Sequence, residues 1–397
     1  MSHSPPSIFI GNGINKALKL INPNAEINFD YESIFQEVLE RLNSSDGEIC
    51  EFLSMAEKNK NKDLEYLLLI LKNSDECLKY ATKYYCKPTR DCSEKIAHYR
   101  KVLKKTVIEV LTDSKFHPSY NAIFGDSYTE APDYINQCGK NLRNFERIFT
   151  INYDLILYWL MIDQGLLTKT SSLNSSAQRN FKDGFSQENC YFHDLDDANE
   201  VKEHLYGLSM NNNHPNFFYL HGALHLVQKN NSAYKIVRKG SYMTLTNLRN
   251  FLLKEYPSLE SLIIFDATND EKIDSIFANS YLNKAYDKIT PIKGDIVIYG
   301  CNFLDNTKNN INLGNDIHLW QKIINSDTQN LFVSLGKEQY ELDLFNQKLG
   351  AAFKRLKVRA NVGINVHCFS HYTVDIWKSN NFYDDVRLSA SKPYRLN

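Results

Sequence analysis

The side chains best placed for chemistry stand just past short apolar runs. Asn152 and Asp154 follow residues 147–151, with Thr150 beside them, and His221-Gly222 follows residues 217–220. An asparagine and an aspartate two positions apart project in the same general direction as the chain leaves a strand. Such a pair can bind ribose hydroxyls, a carboxamide or a held water; it can equally cap a helix starting near Leu155. A histidine in this setting titrates near neutrality, so it is either a general base or a hydrogen-bonded structural residue. The adjacent glycine lets a substrate come close. His214 and His225 lack the strand-end setting and read as surface residues.

Two glycine turns accompany these groups. Ile8-Phe9-Ile10 runs into Gly11-Asn12-Gly13-Ile14-Asn15. Gly-x-Gly after a strand lets backbone approach a pyrophosphate, and the N-terminus of the next helix favours the charge. The third glycine of the dinucleotide fingerprint is missing, so a tight strand-to-helix turn accounts for the segment equally well. Residues 295–299 run into Gly300-Cys301-Asn302, a turn that can face a second ribose or a phosphate. Asp316, at a helix start, either bonds a hydroxyl or caps the helix. Cys301 has no basic partner that would make it a catalytic thiol.

Six apolar runs would position these groups: residues 7–10, 147–151, 217–220, 295–299, 330–335 and 364–369. Short runs that are apolar throughout suit strands covered on both faces. Helical periodicity lies between them, which predicts an α/β domain with a mainly parallel sheet. The interval 31–145 is too long for one crossover. Leu64, Leu67, Leu68 and Leu71 share a helical face there, as do Ile96, Tyr99, Leu103 and Val107. We therefore expect a helical insertion at 31–145 within an α/β domain formed by 1–30 and 146–397. Further insertions are expected near 155–216, loop-rich around 168–189, and near 232–290. The last should hold helices at 247–255 and 271–287 and a short strand at 262–265.

Composition narrows the function classes. Hydrophobic residues make up 43% of the 397, enough for a large core. The net charge of -1 argues against a general electrostatic commitment to nucleic acid or an anionic membrane. No run of about twenty apolar residues predicts a membrane span. The first residues lack a secretory pattern. None of the eight cysteines forms a Cys-x-x-Cys pair, so no zinc ribbon is signalled, and reduced thiols in a cytoplasmic protein are expected.

The order of the pieces is more specific than any one of them. Gly-x-Gly, then Thr-x-Asn-x-Asp, then Leu-His-Gly, then Gly followed by small and polar residues resembles the sirtuin family, in short islands from Ile8 to Trp320. The chain most resembles the bacterial sirtuin-like NAD hydrolases of antiphage defence. It is also similar to a related bacterial family of unannotated function, marked by Asn152-Tyr153-Asp154-Leu155, Asp183-Gly184-Phe185 and Leu220-His221-Gly222-Ala223-Leu224-His225. Asp266-Ala267-Thr268, Lys272 and Tyr281-Leu282 belong to that pattern too.

The resemblance implies a Rossmann-like domain that cleaves the nicotinamide–ribose bond of NAD, with NAD as substrate and no metal or second cofactor. It implies a catalytic set of Asn152, His221 and Asp154. Gly11, Asn12, Gly13 and Thr150 would bind the nucleotide, with Gly300, Cys301, Asn302 and Asp316 on the adenosine side. A homo-oligomer, or a complex with a co-encoded sensor or ATPase, is the implied regulatory partner. Protein-deacylating sirtuins carry Gly-Ala-Gly-x-Ser, Asp-Phe-Arg, a glutamine before the asparagine and a four-cysteine zinc module. Here Gly11-Asn12-Gly13-Ile14-Asn15 and Ile151 stand instead, and the other two are absent. These departures count against peptide deacylation. They leave open a nucleotide-binding sensor without turnover, or transfer of ADP-ribose instead of hydrolysis.

Overall fold

The computed structural model describes residues 4–25, 27–28, 31–43, 49, 51, 54, 64–84, 88–125, 131–167, 181–186, 205–210, 214–229, 232–237, 243–255, 259–264, 268–307, 310–358 and 363–396. The strands in chain order are β1 (Ser7–Ile10), β2 (Arg147–Thr150), β3 (Phe185–Ser186), β4 (Leu205–Leu208), β5 (Phe217–Tyr219), β6 (Gly222–Lys229), β7 (Ser232–Ile236), β8 (Glu260–Ile263), β9 (Ile296–Tyr299), β10 (Leu304–Thr307), β11 (Asn310–Asn312), β12 (Asn330–Leu335), β13 (Ile364–Ser370) and β14 (Tyr394–Leu396).

All six expected runs form strands, and all six lie in one seven-stranded sheet of order β14-β13-β12-β9-β1-β2-β5. Every pairing in it is parallel except β13 with β14. Strands β1, β5 and β9 are buried end to end, β2 and β12 are buried after a half-buried first residue, and β13 alternates at its start. The order turns at β1: chain order rises from β1 through β2 to β5 on one side, and from β9 through β12 to β13 on the other. Open parallel sheets bind ligands outside the carboxyl ends of the strands at such a turning point.

An aromatic ladder sets the register on the β1 side. Phe9, Phe149 and Phe218 are cross-strand partners. Phe9 and Phe149 stack with centroids 4.5 Å apart, and Phe149 and Phe218 lie 5.0 Å apart. Each such contact contributes about 0.5–1.5 kcal/mol beyond its buried area. A one-residue slip would turn every side chain of a strand to the other face. The ladder therefore decides which residues emerge at the carboxyl edge.

Helices Tyr31–Asn43, Leu64–Tyr84, Pro88–Leu111, Tyr120–Phe124 and Asp133–Leu142 lie between β1 and β2, where a helical insertion is expected. Leu67, Leu68, Leu71, Leu103 and Val107 are buried, in line with the periodicity. Buried Asp75 accepts hydrogen bonds from Lys79 and from Ser93 of the next long helix.

A second sheet departs from the sequence expectation. Strands β3-β4-β7-β6-β8 form a five-stranded antiparallel sheet. Only Leu220 and His221 separate β5 of the first sheet from β6 of the second. The expected strand near 262–265 is β8, at Glu260–Ile263. The expected helix at 247–255 is an α-helix, Leu245–Asn250, continued by a π-helical turn, Phe251–Glu255. The single helix expected at 271–287 is two, Asn269–Ala278 and Ser280–Asp287. Asn279 is extended between them, and its side chain accepts the Tyr281 and Leu282 amides as a cap. Most of the loop-rich interval around 168–189 lies outside the described residues, as do Asp266 and Ala267.

His225 corrects the surface reading. It lies on β6, fully buried, stacked 4.1 Å from the Tyr158 ring and edge-on to Tyr219 at 5.0 Å. Burial lowers its pKa well below the usual histidine value, aided by nearby Lys235. A histidine placed five residues past the expected strand end at Leu220 looks exposed in sequence; the second sheet encloses it. His214 is exposed, as expected.

Candidate functional site

The strand ends deliver four segments to one edge. Ile10, Thr150 and Tyr219 are aligned across β1, β2 and β5, and Ile10 pairs with Tyr299 of β9. Asn12, Asn152 and His221 each lie two residues beyond this row. The Ile151 amide donates to Ile10 O and the Leu220 amide to Thr150 O, so the exits stay in register. Thr150 is buried and builds the turn: its hydroxyl donates to Ile10 O and accepts from the Asn152 amide.

Asn152 and His221 are each 7% exposed, and Asn152 Nδ2 and His221 Nε2 have no hydrogen-bond partner. Leaving a buried polar atom unpaired costs about 1–3 kcal/mol. Two such atoms at a sheet edge that favours ligands mark the place where a polar ligand would repay that cost.

Asp154 holds the loop. Its Oδ2 accepts from Asn15 Nδ2 at 2.7 Å, and its Oδ1 accepts from the Ile156 amide at 2.8 Å. Burial raises its pKa, against the lowering effect of those two donors. Asp154 thus caps the helix Ile156–Asp163 and ties it to the helix Gly13–Ile21. This geometry makes it a positioning residue. Asn15, which the sequence reading did not single out, also donates to Asn12 Oδ1, and its own Oδ1 is buried and unpaired. The available signal was a polar residue on the buried face of an amphipathic helix beginning at Gly13.

The two glycine turns are built against each other. The Gly11 amide donates to Tyr299 O and the Gly13 amide to Gly300 O. A Cβ on Gly13 would lie 2.4 Å from Gly300 Cα, and Gly300 has a φ of +73°. The tight-turn reading accounts for these glycines: their amides are bonded within the protein rather than directed at a phosphate. The Gly300 amide donates to Ser334 Oγ. Cys301 sits against Gly11, and burial, with the Asp316 charge, pushes its thiol pKa upward, which disfavours a thiolate. Asn302 is exposed.

Beyond His221 lies a charged group. Asp316 Oδ1 is 3.4 Å from His221 Nε2 and 3.2 Å from Lys272 Nζ. Asp316 precedes the helix Ile317–Ile324 but makes no side-chain cap bond. That function passes to Asn269, whose Oδ1 accepts the His318 amide. Burial lowers the His221 pKa to about 4; the Asp316 charge opposes this and Lys272 adds to it. Burial raises the Asp316 pKa, but His221, Lys272 and His318 together outweigh it and leave the carboxylate below its usual value. His221, Asp316 and His318 each bring one ligand-type atom within 4.8 Å of the others.

One contact from the helical region secures the loop that follows β2. The Leu155 amide donates to His117 Nε2 at 3.0 Å. His117 Nδ1 lies 2.9 Å from Pro118 O, which can only accept, so the proton is on Nδ1. Burial lowers the His117 pKa to about 4. The unfolded histidine takes up its proton near 6.5, the folded one only near 4, so this residue withdraws stability as pH falls through that window. Between pH 7 and pH 5 the loss is about 2 kcal/mol. We expect urea unfolding of His117→Gln to show a smaller loss over that range than the wild type. Parallel stability curves would remove His117 from the acid response.

Two clefts are lined by neither Asn152 nor His221. One of about 680 Å³ is lined by Lys105, Thr112, Tyr120, Thr244 and Arg249; another of about 330 Å³ has His318, Tyr286 and Lys322 in its wall. No helix among the described residues is long and apolar enough to cross a membrane.

Fold and site together define a mixed α/β protein that gathers buried polar side chains at the carboxyl edge of a mostly parallel sheet. More particularly, the chain belongs to the family described as Domain of unknown function (DUF4917), whose profile matches residues 8–377. No curated protein matches it.

Proposed function

We propose that the chain is a Rossmann-like NAD hydrolase that releases nicotinamide and ADP-ribose. The observation that carries this reading is the pair of buried atoms without a hydrogen-bond partner, Asn152 Nδ2 and His221 Nε2, at the ends of neighbouring strands β2 and β5. The strand order supports it: numbered along the chain, the six parallel strands run 3-2-1-4-5-6 across the sheet, the order of dinucleotide-binding folds.

In the reaction the bond between the ribose C1′ and the nicotinamide nitrogen breaks, and nicotinamide leaves with the electron pair. The oxocarbenium-like carbon then takes a water oxygen, and the proton of that water passes to a base. Asn152 would hold the ribose or the attacking water by its amide, and the His221 imidazole would accept the proton. Asp154 and Asn15 would keep the Asn152 loop in place. The low exposure of the pair excludes bulk water, which strengthens each polar contact with a developing charge. The resemblance extends the proposal to antiphage defence by NAD depletion, with the helical region 31–145 contacting a second copy or a co-encoded sensor or ATPase.

The test is incubation of the purified chain with NAD, alone and with the products of neighbouring genes, followed by detection of free nicotinamide. Equimolar nicotinamide and ADP-ribose are expected. Tight ADP-ribose binding without turnover would replace hydrolysis by sensing. Labelled ADP-ribose attached to a protein or nucleotide would replace it by transfer.

A further inference from the structure

We propose that His221, Asp316 and His318 form a binding site for a divalent first-row transition metal of the zinc class. His221 follows β5, while Asp316 and His318 flank the start of the helix Ile317–Ile324. Their three donor atoms lie within 4.8 Å of one another. The 3.4 Å from His221 Nε2 to Asp316 Oδ1 is close to the ~3.3 Å edge of a tetrahedron with bonds of 2.0–2.1 Å.

The tautomer of His318 is set for ligation. Asn269 Oδ1 accepts the His318 amide at 2.7 Å and lies 2.9 Å from His318 Nδ1. An oxygen that only accepts requires the proton on Nδ1. Nε2 is then left with its lone pair, buried and without a hydrogen-bond partner. Pinning the far nitrogen to an acceptor oxygen is how proteins orient an imidazole toward a metal. Two imidazoles and one carboxylate suit zinc and its neighbours better than calcium or magnesium, which prefer oxygen shells. A cleft of about 330 Å³ has His318 in its wall, with Tyr286, Gln321 and Lys322.

Lys272 is the competitor. Its ammonium is 3.2 Å from Asp316 Oδ1 and its side chain is 6% exposed, so the group already holds one cation. A divalent ion must displace that ammonium, which its flexible four-carbon stem permits. The same ion would occupy His221 Nε2, so metal binding and NAD cleavage would exclude each other. Only this consequence rests on the proposed function; the metal site does not.

The experiment is titration of the purified full chain with Co²⁺, read by its visible absorption, and then with Zn²⁺ as competitor. One Co²⁺ per chain with an intense tetrahedral-type band, displaced by Zn²⁺, is expected. His318→Ala should weaken binding about 100-fold, and Asn269→Ala, which removes only the orienting acceptor, about 10-fold. Lys272→Met should tighten it several-fold. Circular dichroism on each variant separates lost ligation from lost fold. The absence of the band in the wild type, or equal Co²⁺ affinity in folded His318→Ala and wild type, overturns the site. Nicotinamide release from parallel metal-free samples tests the NAD reading separately: no release from the metal-free chain would remove that reading alone, and undiminished release with Co²⁺ bound would overturn the exclusion alone.

Discussion

His221→Ala and Asn152→Ala are each expected to lower nicotinamide release from NAD by about 100-fold or more, the scale of losing a positioned proton-transfer group. Both side chains are buried at the edge where β1, β2 and β5 end, and Asn152 Nδ2 and His221 Nε2 have no hydrogen-bond partner, although His221 Nε2 lies 3.4 Å from Asp316. Replacement by alanine breaks no hydrogen bond of these two atoms, so both variants should fold, with a modest loss of stability from the space left behind. That distinguishes these positions from Asp154, whose carboxylate binds Asn15 and Ile156; Asp154→Ala should lower activity and unfolding midpoint together. Because the two residues would act on one water and one ribose, the double variant should lose little more than the worse single one. The measurement is the rate of nicotinamide release beside a urea unfolding curve for each protein. NAD consumption that persists at the wild-type rate in the folded double variant refutes the assignment.

The second large effect falls on stability. Gly222→Ala is expected to cost about 3 kcal/mol or more. Gly222 has a φ of +77°, and an added Cβ would lie 1.8 Å from Leu262 O of β8. The positive φ costs about 1–2 kcal/mol for a residue with a side chain. The collision adds overpacking strain of about 1–3 kcal/mol, because the obstacle is backbone and cannot rotate away. Relief requires β6 and β8 to separate where Gly222 pairs with Ile263 and where the Ile264 amide donates to His221 O. The same movement would carry His221 off the edge, so activity should fall with stability. Gly165→Ala is the control, since Gly165 has a φ of +60° and nothing within 4 Å of an added Cβ. It should cost only the conformational part. Equal unfolding midpoints for the two variants would show that the collision is relieved elsewhere.

The positions of the candidate groups were legible because most follow strands. Asn152 and Asp154 follow β2, His221 follows β5 and Gly300 follows β9, since a run of apolar residues closed by a polar one is a local pattern; Asp316 stands at a helix start, as its sequence suggests. The roles were less legible. Gly11 and Gly13 suited a phosphate-facing loop and a tight strand-to-helix turn equally well, and the close approach that requires them is that of Gly300. Thr150 looked like a ligand contact and is bonded to Ile10 and Asn152. Asn269 and His117 reach these groups from positions remote in sequence, and no spacing rule connects them; Lys272 was marked only by the family pattern, and His318 lies two residues past Asp316.

The sequence by itself determined the six buried strands, the helical character of 31–145 and the groups that leave each strand end, because burial on both faces and helical periodicity are written into neighbouring residues. The tertiary structure alone decided the second sheet, the burial of His225 between Tyr158 and Tyr219, and the meeting of His221 with Asp316 and Lys272. These depend on pairings between segments tens of residues apart. Their free energy comes from backbone ladders and shared burial that no single segment contains.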